Sequence, residues 1–282
     1  MSGTTDFDIL WEIGHFVLNG SNPYSGLQSW YPPAATMLFS VFALIPAAYG
    51  LWIWRGFLLI LLANILKREG WTWIAYLPLP FLIVAGQVDL VLIAMIPLLK
   101  RKNWQAALAA FAFTLKPIIG IMILPWFLLS WLRERPHLIS QFIVISLIGH
   151  TWPILIRPTI FSEWAENIFS AGGKHYFGGG LWSLNTQVPA AALAVISIGL
   201  VLIALATQKE TLARSALALA SPVSMPYHHA VLIGTAPAWL MAGASIASVS
   251  LFYWTGSQAW RALVPAAALL AHVIIEGRKQ LI

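Results

Sequence analysis

Asp6 and Asp8 stand two residues apart in DFDILW, just ahead of an aromatic and apolar stretch. A carboxylate held near a membrane surface can serve as general base on a sugar hydroxyl. The competing reading is an exposed terminus, or an N-cap for a helix over residues 9–18. Asp89, in GQVD (86–89), falls inside an apolar region, where an ionisable group is costly and by default marks function or a paired site. Gln87 beside it can hold a hydroxyl; the alternative is a helix turn capped by Asp89. Lys116 lies between AFAFTL and PIIGIMIL. It either snorkels to an interface or neutralises a lipid-linked phosphate as a point charge. Arg55 and Arg157 are weaker phosphate candidates that could equally anchor an interface. His228 and His229 follow SPVSMPY. Adjacent histidines on a helix point to different faces, which makes a poor two-ligand metal site. One of them could act as acid, base or phosphate donor, and a structural histidine is the alternative.

Three further stretches are turn-rich. GSNPYSG (20–26) is a loop by its turn chemistry. WYPPA (30–34) places Trp30 and Tyr31 at an interface and two prolines at a helix start. SAGGKHYFGGGLWSLNT (170–186) mixes glycines with Lys174, His175, aromatics and Asn185, a composition suited to closing over a ligand. Its glycines are not a nucleotide fingerprint, because no strand–helix unit surrounds them.

The elements that must position these residues are membrane helices. Hydrophobic residues make up 59% and charged residues 9%, with a mean hydropathy of +0.78. A soluble domain carries about 25% charged residues. Apolar runs of spanning or near-spanning length recur from Ala34 to Ile275, and the alternation of a barrel is absent. The reading is an all-α, polytopic membrane protein, folded as one integral membrane domain over residues 1–282. Fifteen Trp suit two interfacial belts. The net charge of +6 sits in short clusters between apolar runs, which reads as topology control and not nucleic-acid binding. With no Cys, disulfides and thiolate chemistry are excluded.

The clusters Lys67–Arg68, Lys100–Arg101–Lys102, Arg133 with Arg135, and Lys209 with Arg214 are taken as cytoplasmic. Residues 71–85 then run outward and 90–99 return. Residues 103–115 run out and 118–132 return, then 138–156 cross to a long outer loop over 157–187. Residues 188–207 return, 212–220 lead outward, and 230–249 come back. This puts GQVD, Lys116–Pro117 and SPVSMPYHH on the outer face. The spans beside GQVD and Lys116–Pro117 are shorter than the roughly 20 residues of a straight crossing, so these turns are expected at depth, facing a cavity. The run 34–47, between prolines, is read as a partly inserted helix, which places the opening segment (1–33) in an outer loop.

The order DFDILW, GSNPY, YPP, GQVD, KP, then SPVS followed by HH resembles the polyprenyl-phosphate-mannose-dependent glycosyltransferases of the GT-C superfamily, in particular glycosyltransferase family 87. The resemblance covers roughly residues 6–230. It implies a GT-C-like bundle of about 8–10 transmembrane helices with outer-face loops in the bacterial inner membrane. It also implies a polyprenyl-phosphate sugar as donor, inversion at the anomeric centre, and no resident cofactor, with a divalent metal left open. Asp6 fits the position of the base that deprotonates the acceptor, with Asp8 second. Tyr31, Gln87, Asp89, Lys116, Asn185, His228 and His229 become substrate-binding candidates, Lys116 and the histidines for the leaving lipid phosphate. The expected partners are the lipid-linked donor, membrane lipids and other membrane subunits.

This sequence departs from the family pattern. Relatives carry a transmembrane helix before the acidic loop, and the chain is short for the family. Where relatives read Ser-Pro-x-Ser-Trp, an acidic residue and His, Met225, Pro226 and Tyr227 stand here. Two functions therefore go forward: an active transferase, and a catalytically reduced GT-C-derived structural subunit. A small transporter is disfavoured for want of repeated halves.

Overall fold

The computed structural model describes residues 5–25, 31–170, 180–223 and 225–280, with side chains of the last helix described to residue 275. Among the described residues the regular structure is helical throughout. In chain order the α-helices are α1 (Asp6–Leu18), α2 (Pro33–Phe39), α3 (Ala47–Glu69), α4 (Pro78–Val84), α5 (Asp89–Leu99), α6 (Trp104–Thr114), α7 (Pro117–Glu134), α8 (Pro136–Ile156), α9 (Ile160–Ser170), α10 (Ala190–Ala206), α11 (Glu210–Ala220), α12 (Ala238–Thr255) and α13 (Leu263–Gln280). Among the described residues five stretches have the length and apolar composition to cross a membrane: α3, α7, α8, α12 and Gln258–Ile275. Pro33–Leu44, α5, α6 and α10 are shorter apolar helices.

Several boundaries differ from the sequence reading, and prolines and caps explain them. The run 71–85 is a 3-10 turn (Trp71–Ala75) followed by α4, because Pro78 and Pro80 cannot complete a continuous ladder from residue 71. The run 34–47 is α2 followed by a 3-10 helix over Ser40–Leu44, closed at Pro46. The expected first outer loop holds α1, and the expected loop 157–187 holds α9 and a 3-10 turn, Gly180–Leu184. Lys174 and His175 lie outside the described residues.

The chain divides into two compact units. The first comprises Met1–Leu62, Leu82–Gly120 and Trp131–Lys174; the second comprises Ala63–Phe81, Ile121–Ser130 and His175–Ile282. In the first, α5 and α6 form an antiparallel hairpin closed by Lys100–Arg101–Lys102, so Asp89 and Lys116 come to its other end. Each helix has 11 residues, a length of about 16 Å. Helix α1 packs against the 3-10 helix 40–44 at Gly14, where an added Cβ would lie 2.8 Å from the Ala43 Cβ. Tyr24, Met37 and Ile160 form a small core with Trp152 and Trp164 around it. In the second unit α10, α11 and α13 bury an alanine- and leucine-rich core around Ala213, Ala216 and Leu217.

Candidate functional site

Thr5 and Asp8 decide which aspartate is available. Thr5 is the N-cap of α1: its Oγ1 accepts the Asp8 N–H at 3.2 Å, and Asp8 Oδ2 accepts the Thr5 N–H at 2.7 Å. This T-x-x-D capping box uses Asp8 to satisfy the helix start. Asp6, at the first helical position, is turned elsewhere. Its Oδ2 accepts the Tyr31 hydroxyl at 2.8 Å and a Lys116 Nζ proton at 3.0 Å.

Tyr31 is placed by the turn-rich segment before it. Asn22 Oδ1 accepts the Tyr24 N–H at 2.8 Å, an Asx turn around Pro23. The buried Tyr24 hydroxyl donates to the Tyr31 carbonyl at 3.1 Å and lies 3.0 Å from Thr36 Oγ1. Arg157 ties the same segment down, donating to the Gly20 carbonyl at 2.7 Å while paired with Glu163. Burial pushes the Glu163 carboxyl up, but its bonds to Arg157 and Thr159 outweigh that and hold it below the usual carboxylate range.

GQVD is held from two sides. Trp54 Nε1 donates to the Gly86 carbonyl at 2.8 Å, and Arg55 donates to the Val84 carbonyl at 2.7 Å. The Asp6 N–H donates to the Ala85 carbonyl at 3.1 Å. Gly86 has φ +63°, and a Cβ there would meet the Phe7 Cβ at 3.3 Å. Glycine is the residue that accepts both conditions. Asp89 then opens α5, wholly buried.

Lys116 sits between α6 and α7. Pro117 disfavours helical geometry in the residue before it, and Lys116 has φ −131° and ψ 83°. Its Nζ meets Asp89 Oδ1 at 2.5 Å, Gln87 Oε1 at 2.9 Å and Asp6 Oδ2 at 3.0 Å, and lies 5.5 Å from the Tyr31 ring centre. An ammonium has three N–H donors, and among the described residues three oxygens surround this one. A phosphate oxygen would have to displace one of them, and the neutral Gln87 amide is the cheapest to displace. Behind Tyr31 and Lys116 opens a cavity of about 230 Å³, its wall made chiefly by Phe39, Phe42, Trp54, Phe57, Leu92 and Met95. That lining suits a hydrocarbon group.

The structure thus brings together Asp6, Tyr31, Gln87, Asp89 and Lys116, and assigns Asp8 to a helix cap. Asn185, His228 and His229 lie in the second unit. His228 is buried, and its Nδ1 accepts the Met225 N–H at 2.9 Å at the start of a 3-10 helix, Pro226–Leu232. The His229 carbonyl accepts the Tyr76 hydroxyl at 2.7 Å. Burial, with Arg261 adding to it, pushes the His229 imidazole down to about 4, so it is neutral at pH 7. Asn185 is exposed after the Gly180–Leu184 turn. Arg55 and Arg157 are backbone anchors. Among the described residues no three His, Cys, Asp or Glu gather as metal ligands; the cation at Asp6 and Asp89 is the Lys116 ammonium.

Sequence reasoning missed Tyr24 and Trp54 as supports of the site. The Asx-forming Asn-Pro-Tyr was a usable signal for Tyr24; nothing local marks Trp54. No family model matches the chain, no curated protein matches it, and no solved structure matches it.

Proposed function

We propose that this chain is a membrane glycosyltransferase of the GT-C type, in a bacterial inner membrane, using a polyprenyl-phosphate sugar as donor. Asp6 takes the proton of the acceptor hydroxyl. The acceptor oxygen bonds to the anomeric carbon with inversion, and the sugar–phosphate C–O bond breaks with its electron pair leaving on the lipid phosphate. The observation that carries the reading is the meeting of Asp6, Gln87, Asp89 and Lys116, up to 110 residues apart in sequence, beside an apolar cavity. Asp6 keeps 16% of its side chain exposed, enough to meet a hydroxyl. The cavity suits the first prenyl units of a donor whose phosphate displaces Gln87 from Lys116. With Lys100–Arg101–Lys102 at one membrane surface, the α5–α6 hairpin sets this cluster about 16 Å deep in a core of about 30 Å. A charged cluster at that depth is expensive and fits a functional role.

The test is sugar transfer from polyprenyl-phosphate sugars by the purified chain in liposomes. Asp6→Asn is expected to lose about 10²-fold or more, the range of a general base, while Asp8→Asn stays active and loses only stability. Full activity in Asp6→Asn would defeat the assignment. The second reading, a structural subunit without transfer activity, draws on α8. This 21-residue helix buries only Leu138 and Pro153 in the chain and leaves much of its surface to lipid or a partner helix. An inactive wild type, with its native membrane neighbours present, would move the conclusion there.

A further inference from the structure

Asp89 stands apart from the other members of the cluster. It is wholly buried, and its carboxylate lies 2.5 Å from Lys116 Nζ. Asp6 touches the same ammonium at 3.0 Å and retains some exposure. With both carboxylates ionised, the charges of Asp6, Asp89 and Lys116 sum to −1. Coulombic attraction grows as separation shortens and as water is excluded, so the ammonium is chiefly the partner of Asp89. Were Asp89 neutral, the full positive charge would fall on Asp6, and a carboxylate neutralised in that way is a poor base.

We propose that Asp89 is a positioning residue that acts through Lys116: by holding the ammonium, it leaves Asp6 with its own negative charge for the substrate proton. This rests on the reading of Asp6 as base and adds what keeps that base competent. The groups around Asp6 are Tyr31 from the loop before α2, Gln87 and Asp89 at the start of α5, and Lys116 ahead of α7. Asp8, on α1 itself, is engaged by Thr5, and Arg55 of α3 is engaged by the Val84 carbonyl.

The composition offers a direct test. The chain contains three aspartates, Asp6, Asp8 and Asp89. Protein labelled with carbon-13 at the aspartate carboxyl carbon therefore gives three carboxyl resonances, assignable with Asp6→Asn and Asp8→Asn. The full chain in nanodiscs is titrated by NMR as wild type, Asp89→Asn and Asp89→Glu. In Asp89→Asn the Asp6 resonance is expected to titrate at lower pH than in the wild type, because the whole ammonium charge then falls on Asp6. In Asp89→Glu, which keeps the charge, it stays with the wild type. An Asp6 resonance that does not move in Asp89→Asn overturns the proposal. So does an equal displacement in Asp89→Glu, which would mean that packing and not charge sets it. The measurement needs no turnover, so its failure is distinct from a failed transfer assay. Where transfer is measured, the acid limb of kcat/KM moves down with the resonance.

Discussion

Replacing Lys116 by methionine keeps a stem of similar length and removes the ammonium, stranding Asp6 and Asp89 together. Lys116 is 7% exposed and Asp89 is 0% exposed, so neither lost contact is made good by bulk water. Removing one partner of a buried ion pair costs about 3–5 kcal/mol, mostly because the other charge is left uncompensated. Asp89→Asn is milder. Lys116 keeps Asp6 and Gln87, and a charged hydrogen bond of about 1.5–3 kcal/mol is lost. In the double variant Lys116→Met/Asp89→Asn no ammonium is left to pair and only Asp6, the more exposed carboxylate, keeps its charge. Its destabilisation should therefore fall short of the sum of the singles by about 1.5 kcal/mol or more, where independent sites add to within about 0.5. Fluorescence-detected thermal unfolding in nanodiscs suits a chain with fifteen Trp. At roughly 2–4 °C per kcal/mol, the Lys116→Met shift is roughly 6–20 °C. Strict additivity of the two single variants would refute the reasoning, because it would mean that the ammonium and the buried carboxylate do not interact.

Other outcomes follow from the same geometry. Tyr24→Phe removes the hydroxyl that holds the Tyr31 carbonyl and should cost about 1 kcal/mol while lowering transfer through Tyr31, with Tyr31→Phe the more damaging of the two in a transfer assay. Gly86→Ala puts a Cβ at a left-handed φ against Phe7 and should destabilise by about 1–2 kcal/mol in thermal unfolding. His229 is held near 4 in the folded chain against an ordinary 6.5, so the unfolded chain binds the extra proton between those values. Its contribution is present above pH 6.5 and is lost as pH falls toward 4, up to about 3 kcal/mol. His229→Gln should flatten stability over that window, and an unchanged pH dependence would count against a buried neutral ring.

Composition and the placement of basic clusters determined that this is a helical chain with segments able to cross a membrane, because a run of apolar side chains carries that information locally. The helices α3, α7, α8 and α10 follow apolar runs visible in the sequence for the same reason. Chemistry at single residues was legible only as alternatives. Asp6 and Asp8 are near-equivalent as letters. Their separation comes from Thr5, whose cap consumes Asp8, and from helix phase, which aims Asp6 at Tyr31. Lys116 as a snorkelling or phosphate-binding residue could not be resolved from its flanks, since its partners are supplied by α1 and the start of α5. Tertiary structure gave Lys116 a setting that neither alternative describes, an ion pair with Asp6 and Asp89. The short α5–α6 hairpin returns the chain to the level of Asp89, the Gly86 turn fits beneath Phe7, and α1 supplies the remaining carboxylate. Only then do three charges spread over 110 residues become one cluster, because electrostatic contact depends on distance in space and burial, which no local pattern of residues encodes.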